Sequence, residues 1–136
     1  MKKVQRGSID TSALSAPPEP HEHRVAKYFS KYGFNIIFIK PSNIKGLKSP
    51  DFEMGGRIWE IKSPITYSDT SFEDNYRKAM KQSKHIIFDL RSLNSINETK
   101  YIKELTKWKD IGGVKTLMII SRNGKLFTIK GKFDIM

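Results

Sequence analysis

The sequence contains no cysteine. Disulfides are thereby excluded, and so are thiolate zinc sites and cysteine nucleophiles. Long apolar runs are missing as well. The basic start, Met1 to Gln5, is not followed by the apolar run of roughly 7–15 residues that marks a signal peptide. No stretch approaches the ~18 apolar residues of a membrane span, so a soluble domain that meets no membrane is expected. Histidine is scarce, at three residues. His21 and His23 flank Glu22, but His-Glu-His lacks the i,i+4 spacing of a helical zinc pair, and both read as exposed residues at a helix start. Acidic residues are the minority, 14 against 25 Lys and Arg, which leaves a formal charge of +11 and a pI near 9.9. Such a balance is the electrostatic footprint of a nucleic-acid binder, although a basic protein can also meet membranes or acidic partners.

What is present fits one domain of 136 residues, long enough to bury a core without covalent staples. Residues 1–20, rich in Ser, Ala and Pro and closed by Pro17-Pro18-Glu19-Pro20, read as a flexible lead-in or linker. The domain proper is expected over 21–136. Val25, Ala26 and Phe29 recur at helical spacing, with Gly33 as a stop, which predicts a helix over 21–32 with Glu22 in its first turn. Phe34 to Ile39 predicts a strand, and Pro41, Asn43, Gly46 and Pro50 a loop. Residues 51–54 and 57–62 flank Gly55-Gly56, a two-residue hairpin signal. A helix is predicted over 71–84, with Ser71 as its N-cap and Glu73 and Asp74 in the first turn. A buried strand from Ile86 to about Leu90 follows. The next helix spans about Ile96 to Lys109, with Tyr101, Ile102, Leu105 and Trp108 facing inward. Strands at 114–120 and 125–129, joined at Asn123-Gly124 by a type I′ turn, complete the chain. The order α-β-β-β-α-β-α-β-β predicts an α/β fold, a mixed sheet with flanking helices.

The chemistry is concentrated at 50–62. With Gly55-Gly56 as the loop, Met54 pairs with Arg57, Glu53 with Ile58, Phe52 with Trp59, and Asp51 with Glu60. Opposed residues have Cβ atoms ~4.5–5.5 Å apart, so two carboxylates are set side by side. Glu60 and Lys62 are two residues apart in one strand and share a face, separated by about 6.5–7 Å, while Trp59 and Ile61 point the other way. Opposed like charges repel, and a cation between them removes the conflict. Hard oxygen ligands suit Mg²⁺, or Mn²⁺ as a substitute. Such an ion polarises a phosphate oxygen and acidifies a bound water, and a neighbouring lysine can position that water or offset charge on the phosphate. The bland alternative is an exposed hairpin with ordinary surface charges.

Other residues carry two readings each. Glu22 is either a first-turn acid that favours the helix dipole or a member of the site. Glu53 reads as solvated at the hairpin tip. Arg77, Lys78, Lys81 and Lys84 either track a phosphate backbone or form a solvated face. Gln82, beside them, is grouped with these nucleic-acid candidates and can also hydrogen-bond near the site. Tyr67, Tyr76 and Trp108 are candidates for stacking on unpaired bases. Trp108 has core spacing, which leaves Tyr67, in a Ser/Thr-rich loop, as the better one. His85, directly before a buried strand, reads as structural.

Pro50-Asp51 followed by Glu60-Ile61-Lys62 resembles the signature of the PD-(D/E)XK nucleases, a restriction-endonuclease-like fold. A wider set of motifs stands in order: Pro18-x-Pro20-His21-Glu22-x-x-Val25-Ala26, Lys48-Ser49-Pro50-Asp51, Trp59-Glu60-Ile61-Lys62-Ser63-Pro64, Ala79-x-x-Gln82-Ser83 and Ile86-Ile87-Phe88-Asp89-Leu90. Together they resemble the C-terminal tRNA-nuclease domain of contact-dependent growth inhibition toxins of the CdiA type, over about residues 17–130. That resemblance implies a metal-dependent endonuclease acting on tRNA, with Glu22, Asp51 and Glu60 as ligands of Mg²⁺ or Mn²⁺ and Lys62 as the signature lysine. It implies a growth-inhibiting module that works in the cytoplasm of a target cell after delivery within a larger toxin, and a cognate immunity protein as candidate partner. Two rival functions remain at this stage: a DNA endonuclease of the same superfamily, resolvase-like or restriction-like, and a non-catalytic basic RNA-binding domain.

Overall fold

In a computed structural model of the chain, the described residues are 5–42 and 49–133. Lys48 of the Lys-Ser-Pro-Asp motif, the loop residues Asn43 and Gly46, and the basic start at Met1 lie outside them. The elements are β1 (Ile9–Asp10), α1 (Pro20–Ser30), β2 (Ile36–Phe38), β3 (Phe52–Met54), β4 (Arg57–Lys62), α2 (Asp69–Gln82), β5 (His85–Asp89), α3 (Ser95–Trp108), β6 (Thr116–Ile120) and β7 (Leu126–Lys130). The α/β class and the mixed sheet expected from the sequence are both present, with seven strands hydrogen-bonded in chain order. Packing divides the domain into two compact units, one ending at Trp59 and the other beginning at Glu60.

In the first unit, β2 pairs with β3 and β3 with β4, both antiparallel. The β3–β4 register is Phe52 with Trp59, Glu53 with Ile58 and Met54 with Arg57, as predicted. The turn residues Gly55 and Gly56 have φ of 59° and 75°. Both angles are positive, the requirement of a type I′ turn, and this geometry matches the twist of the strands it joins. Alternation then sorts the side chains. Phe52, Met54 and Trp59 are buried, while Glu53 and Ile58 are exposed. Val25, Ala26 and Phe29 of α1 are fully buried, as the helical spacing requires. The Trp59 indole N–H donates to the Met54 carbonyl at 2.9 Å, so the buried ring leaves no polar atom unsatisfied.

The lead-in departs from expectation. Ile9 and Asp10 form β1, paired parallel to β2 through Ile36 and Ile37. The Gly7 N–H donates to the Ser30 carbonyl and the Ile36 N–H to the Ser8 carbonyl, both at 2.8 Å. Residues 7–10 are thus tied down by backbone hydrogen bonds and do not behave as a free linker.

In the second unit β5 pairs parallel to β6, and β6 antiparallel to β7. One core gathers Phe72, Tyr76 and Ala79 of α2, Ile86 and Phe88 of β5, Tyr101 and Leu105 of α3, and Leu117 and Ile119 of β6. Ile102 and Trp108 pack against it, which places the whole predicted α3 stripe inward. Burying each such side chain contributes roughly 1.5–3 kcal/mol.

Two local predictions are corrected here. Helix α2 starts at Asp69 and its N-cap is Ser68, while Ser71 stands at N3 and completes a reciprocal capping box. Asp69, not Glu73 or Asp74, is the first-turn acid. The β6–β7 turn is not type I′, because no non-glycine among the described residues has positive φ and Asn123 is therefore excluded from that geometry. The Gly124 N–H closes on the Ser121 carbonyl at 2.9 Å, and Gly124 alone takes a positive φ, of 82°. This is the three-residue hairpin, a turn followed by a left-handed glycine.

Candidate active site

Asp51 lies just outside the regular part of β3, and its backbone is fixed on both sides. Its N–H donates to the Trp59 carbonyl at 3.0 Å, and its carbonyl accepts from the Ile39 N–H at 3.1 Å. The side chain is thus presented from a backbone that cannot easily shift. Glu22 is presented from the first turn of α1, with Pro20 pre-setting the helix start.

The two carboxyl groups meet in a side-chain hydrogen bond. Glu22 is mostly buried, with 19% of its side chain exposed. Burial, followed by the hydrogen bond and the charge of Asp51, pushes its pKa from 4.5 up to about 8. His21, with Nε2 4.0 Å from the Glu22 carboxylate, opposes this only weakly. At neutral pH Glu22 therefore keeps its proton. A buried acid pair of this kind is costly by itself, and a divalent cation in place of the proton relieves it. The residues present fit a hard cation in that sense, since Mg²⁺ is commonly held by one or two carboxylates, its remaining ligands being waters and substrate phosphates. Among the described residues no group of three or more His, Asp or Glu side chains is gathered as a metal site.

Glu60 follows Trp59 directly on β4 and is 3% exposed. Lys62 Nζ lies 3.3 Å from Glu60 Oε2, so alternation along β4 does bring these two together. Gln82, at the end of α2, lies against the same carboxylate. With its amide nitrogen toward Glu60 it donates to Oε1 at 2.6 Å and also to Oε2. In the opposite orientation an amide oxygen would face the carboxylate, an arrangement without a donor. Sequence reading grouped Gln82 with the nucleic-acid contacts and also allowed it a hydrogen bond near the site; its amide is directed at Glu60. The signal was present, because Gln82 continues the buried stripe of Phe72, Tyr76 and Ala79 at helical spacing.

The remaining basic and aromatic candidates are separated by their surroundings. Lys78, Lys81 and Lys84 are exposed. Arg77 is engaged, with its guanidinium donating to Glu73 at 2.9 Å and lying 5.3 Å from the centre of the Trp108 ring. Tyr67 is not a loose loop side chain. Its ring packs edge-on against Tyr101 at 5.6 Å, its hydroxyl donates to Asp69 at 2.6 Å, and Lys100 lies 5.8 Å from the ring centre. Tyr67, Asp69 and Glu104 share an open cleft with Lys100, Lys103 and Lys107, a basic face at i, i+3 and i+7 on α3 that the sequence reading passed over. Glu53 is exposed, in keeping with a hairpin tip. His85 Nδ1 is 2.9 Å from Thr116 Oγ1, a structural contact at the start of β5. The buried Asp89 is answered by Arg91 through both carboxylate oxygens and is committed to the fold.

Comparison with known proteins gives two matches. Residues 48–126 match the family described as the contact-dependent growth inhibition CdiA C-terminal domain. The chain is similar in fold to the solved CdiA-CT/CdiI toxin and immunity complex from Burkholderia pseudomallei, with a TM-score of 0.65 and 17% sequence identity over 91% of this chain and 99% of that one. No curated protein matches the sequence.

Proposed function

The chain belongs to the contact-dependent growth inhibition CdiA C-terminal domain family, and from that membership we propose that it is a growth-inhibiting toxin domain acting as a metal-dependent endonuclease on tRNA. The observation that carries this reading is the pairing of the Glu22 and Asp51 carboxyl groups, which keeps Glu22 protonated and which a divalent cation would relieve. The formal charge of +11 supports a polyanionic substrate.

In this reading Glu22, Asp51 and Glu60 are the ligands of Mg²⁺ or Mn²⁺, within the PD-(D/E)XK scheme that the signature residues resemble. The ion supplies Lewis acidity toward a phosphate oxygen and a more acidic water. Glu22 gives up its proton when the site is loaded. Lys62, a compact positive charge beside Glu60, orients the attacking water or offsets the charge that grows on the phosphate. Lys78, Lys81 and Lys84 attract the backbone of the RNA electrostatically. The place of action is the cytoplasm of a target cell, after delivery as part of a larger toxin, and a cognate immunity protein is the partner that silences the domain.

The test is incubation of the purified chain with total tRNA in Mg²⁺ or in EDTA, beside an Asp51→Ala control. Discrete fragments are expected only with metal and with Asp51 intact. Cleavage of plasmid DNA with tRNA left whole would move the substrate to DNA. Binding that survives EDTA, with neither polymer cut, would leave a basic binding domain.

A further inference from the structure

Glu60 is nearly inaccessible to water, so its carboxylate must find donors within the protein. Lys62 Nζ lies 3.3 Å from Oε2. With its amide nitrogen turned toward Glu60, Gln82 reaches both oxygens and bridges the carboxylate from the last turn of α2. That turn is itself anchored, since Ala79, three residues earlier on the same face, is fully buried and its carbonyl accepts the Ser83 N–H at 3.0 Å. A bridging donor on a rigid helix fixes a carboxylate in rotation as well as in position, which a flexible lysine alone does less well.

We propose that Gln82 is a positioning residue for Glu60: its side-chain amide holds the carboxylate in the orientation from which Glu60 and its ion-paired Lys62 act, and it does not serve as a nucleic-acid contact. This inference rests on the nuclease reading for its effect on rate, while the bridge itself stands apart from activity. The N–H that Gln82 directs at Glu60 is not available to a phosphate or a base.

The experiment compares wild type with Gln82→Met, which keeps the length and removes the donors, and Gln82→Glu, which sets a second carboxylate against Glu60. Single-turnover cleavage at saturating tRNA is measured with Mg²⁺, and tRNA affinity is measured separately in EDTA. The expected result for Gln82→Met is a rate lower by roughly 10–100-fold, with affinity unchanged and a folded melting profile. Gln82→Glu is expected to be slower still. An unchanged rate overturns the proposal, as does weakened affinity with the saturating rate retained. Should the wild-type chain cut no nucleic acid, the nuclease reading falls and the bridge is decided by NMR. Gln82 side-chain amide protons that exchange slowly and move in Glu60→Gln sustain it. Protons with the position and exchange of an exposed glutamine, unmoved in that variant, overturn it.

Discussion

Glu22, in the first turn of α1, is hydrogen-bonded carboxyl to carboxyl with Asp51, and burial together with this neighbour keeps Glu22 protonated up to about pH 8. An unfolded glutamate ionises near 4.5. Between these values the folded chain holds a proton that the unfolded chain has lost, so stability falls as pH rises through this window and the full loss is reached above about pH 8. Glu22→Gln cannot ionise and escapes the loss. In the absence of divalent ions the variant is expected to melt above wild type at about pH 9, with that advantage shrinking toward pH 4.5. Parallel melting curves across the range would show that Glu22 titrates normally.

The same proton gives a test of the cation that needs no substrate. At neutral pH a divalent ion replacing the Glu22 proton must expel it, so binding of Mg²⁺ or Mn²⁺ is expected to release about one proton. Calorimetry in buffers of different ionisation enthalpy measures this directly. Glu22→Gln should release none from this pair, and wild type should release progressively less above pH 8, where the proton has already gone. Binding without proton release would place the ion elsewhere.

Lys62 Nζ sets a positive charge 3.3 Å from Glu60 Oε2. Lys62→Met is expected to lower single-turnover cleavage of tRNA by roughly 10²–10³-fold, the usual effect of removing one charge-stabilising group. Its tRNA affinity should change by no more than one lost phosphate contact. Lys62→Arg keeps the charge but spreads it over a plane, and partial rescue would indicate charge stabilisation, whereas none would indicate a role in proton transfer. Wild-type cleavage by Lys62→Met would remove Lys62 from the mechanism.

The sequence made the β3–β4 hairpin readable because Gly55-Gly56 demands one turn type, and that turn sets every pair up to Phe52 with Trp59. Strand alternation then made Glu60 and Lys62 neighbours. The pairing of Glu22 with Asp51 depends on how α1 meets the strands, and no local pattern encodes that, so only family resemblance pointed to it. Strand β1 was hidden for a similar reason. Two residues carry no periodicity, and their order comes from hydrogen bonds to Ser30 and Ile36 made in the folded chain. Gln82 carried two readings in sequence, beside its basic neighbours and as a hydrogen-bonding group near the site, and its position on the buried face of α2 decides what it touches.

The start of α2 offered two serines, and the fold uses both unequally. Ser68 accepts the Ser71 N–H at 3.1 Å, while the Ser71 hydroxyl accepts the Ser68 N–H at 3.1 Å. Ser68→Ala removes the cap itself and is expected to cost about 1 kcal/mol in urea unfolding. Ser71→Ala removes only the returning bond and should cost less. The reverse order would restore Ser71 as the cap and shorten the helix.

The basic residues near the end of α2 are not equivalent, and salt dependence separates them. Each phosphate neutralised contributes about 0.7–0.9 to the slope of log affinity against log salt. Lys78, Lys81 and Lys84 are exposed and free of the ion pair that occupies Arg77. Each of Lys78→Ala, Lys81→Ala and Lys84→Ala is therefore expected to lower that slope by nearly one for tRNA in EDTA. Arg77→Ala should lower it less, because the guanidinium is already compensated by Glu73 and seated against Trp108, and its loss should appear mainly as reduced stability. If none of the lysine variants changes the slope, this face is simply solvated. The search for the electrostatic contact then moves to the Lys100, Lys103 and Lys107 face of α3, where the same measurement on three further variants would locate it.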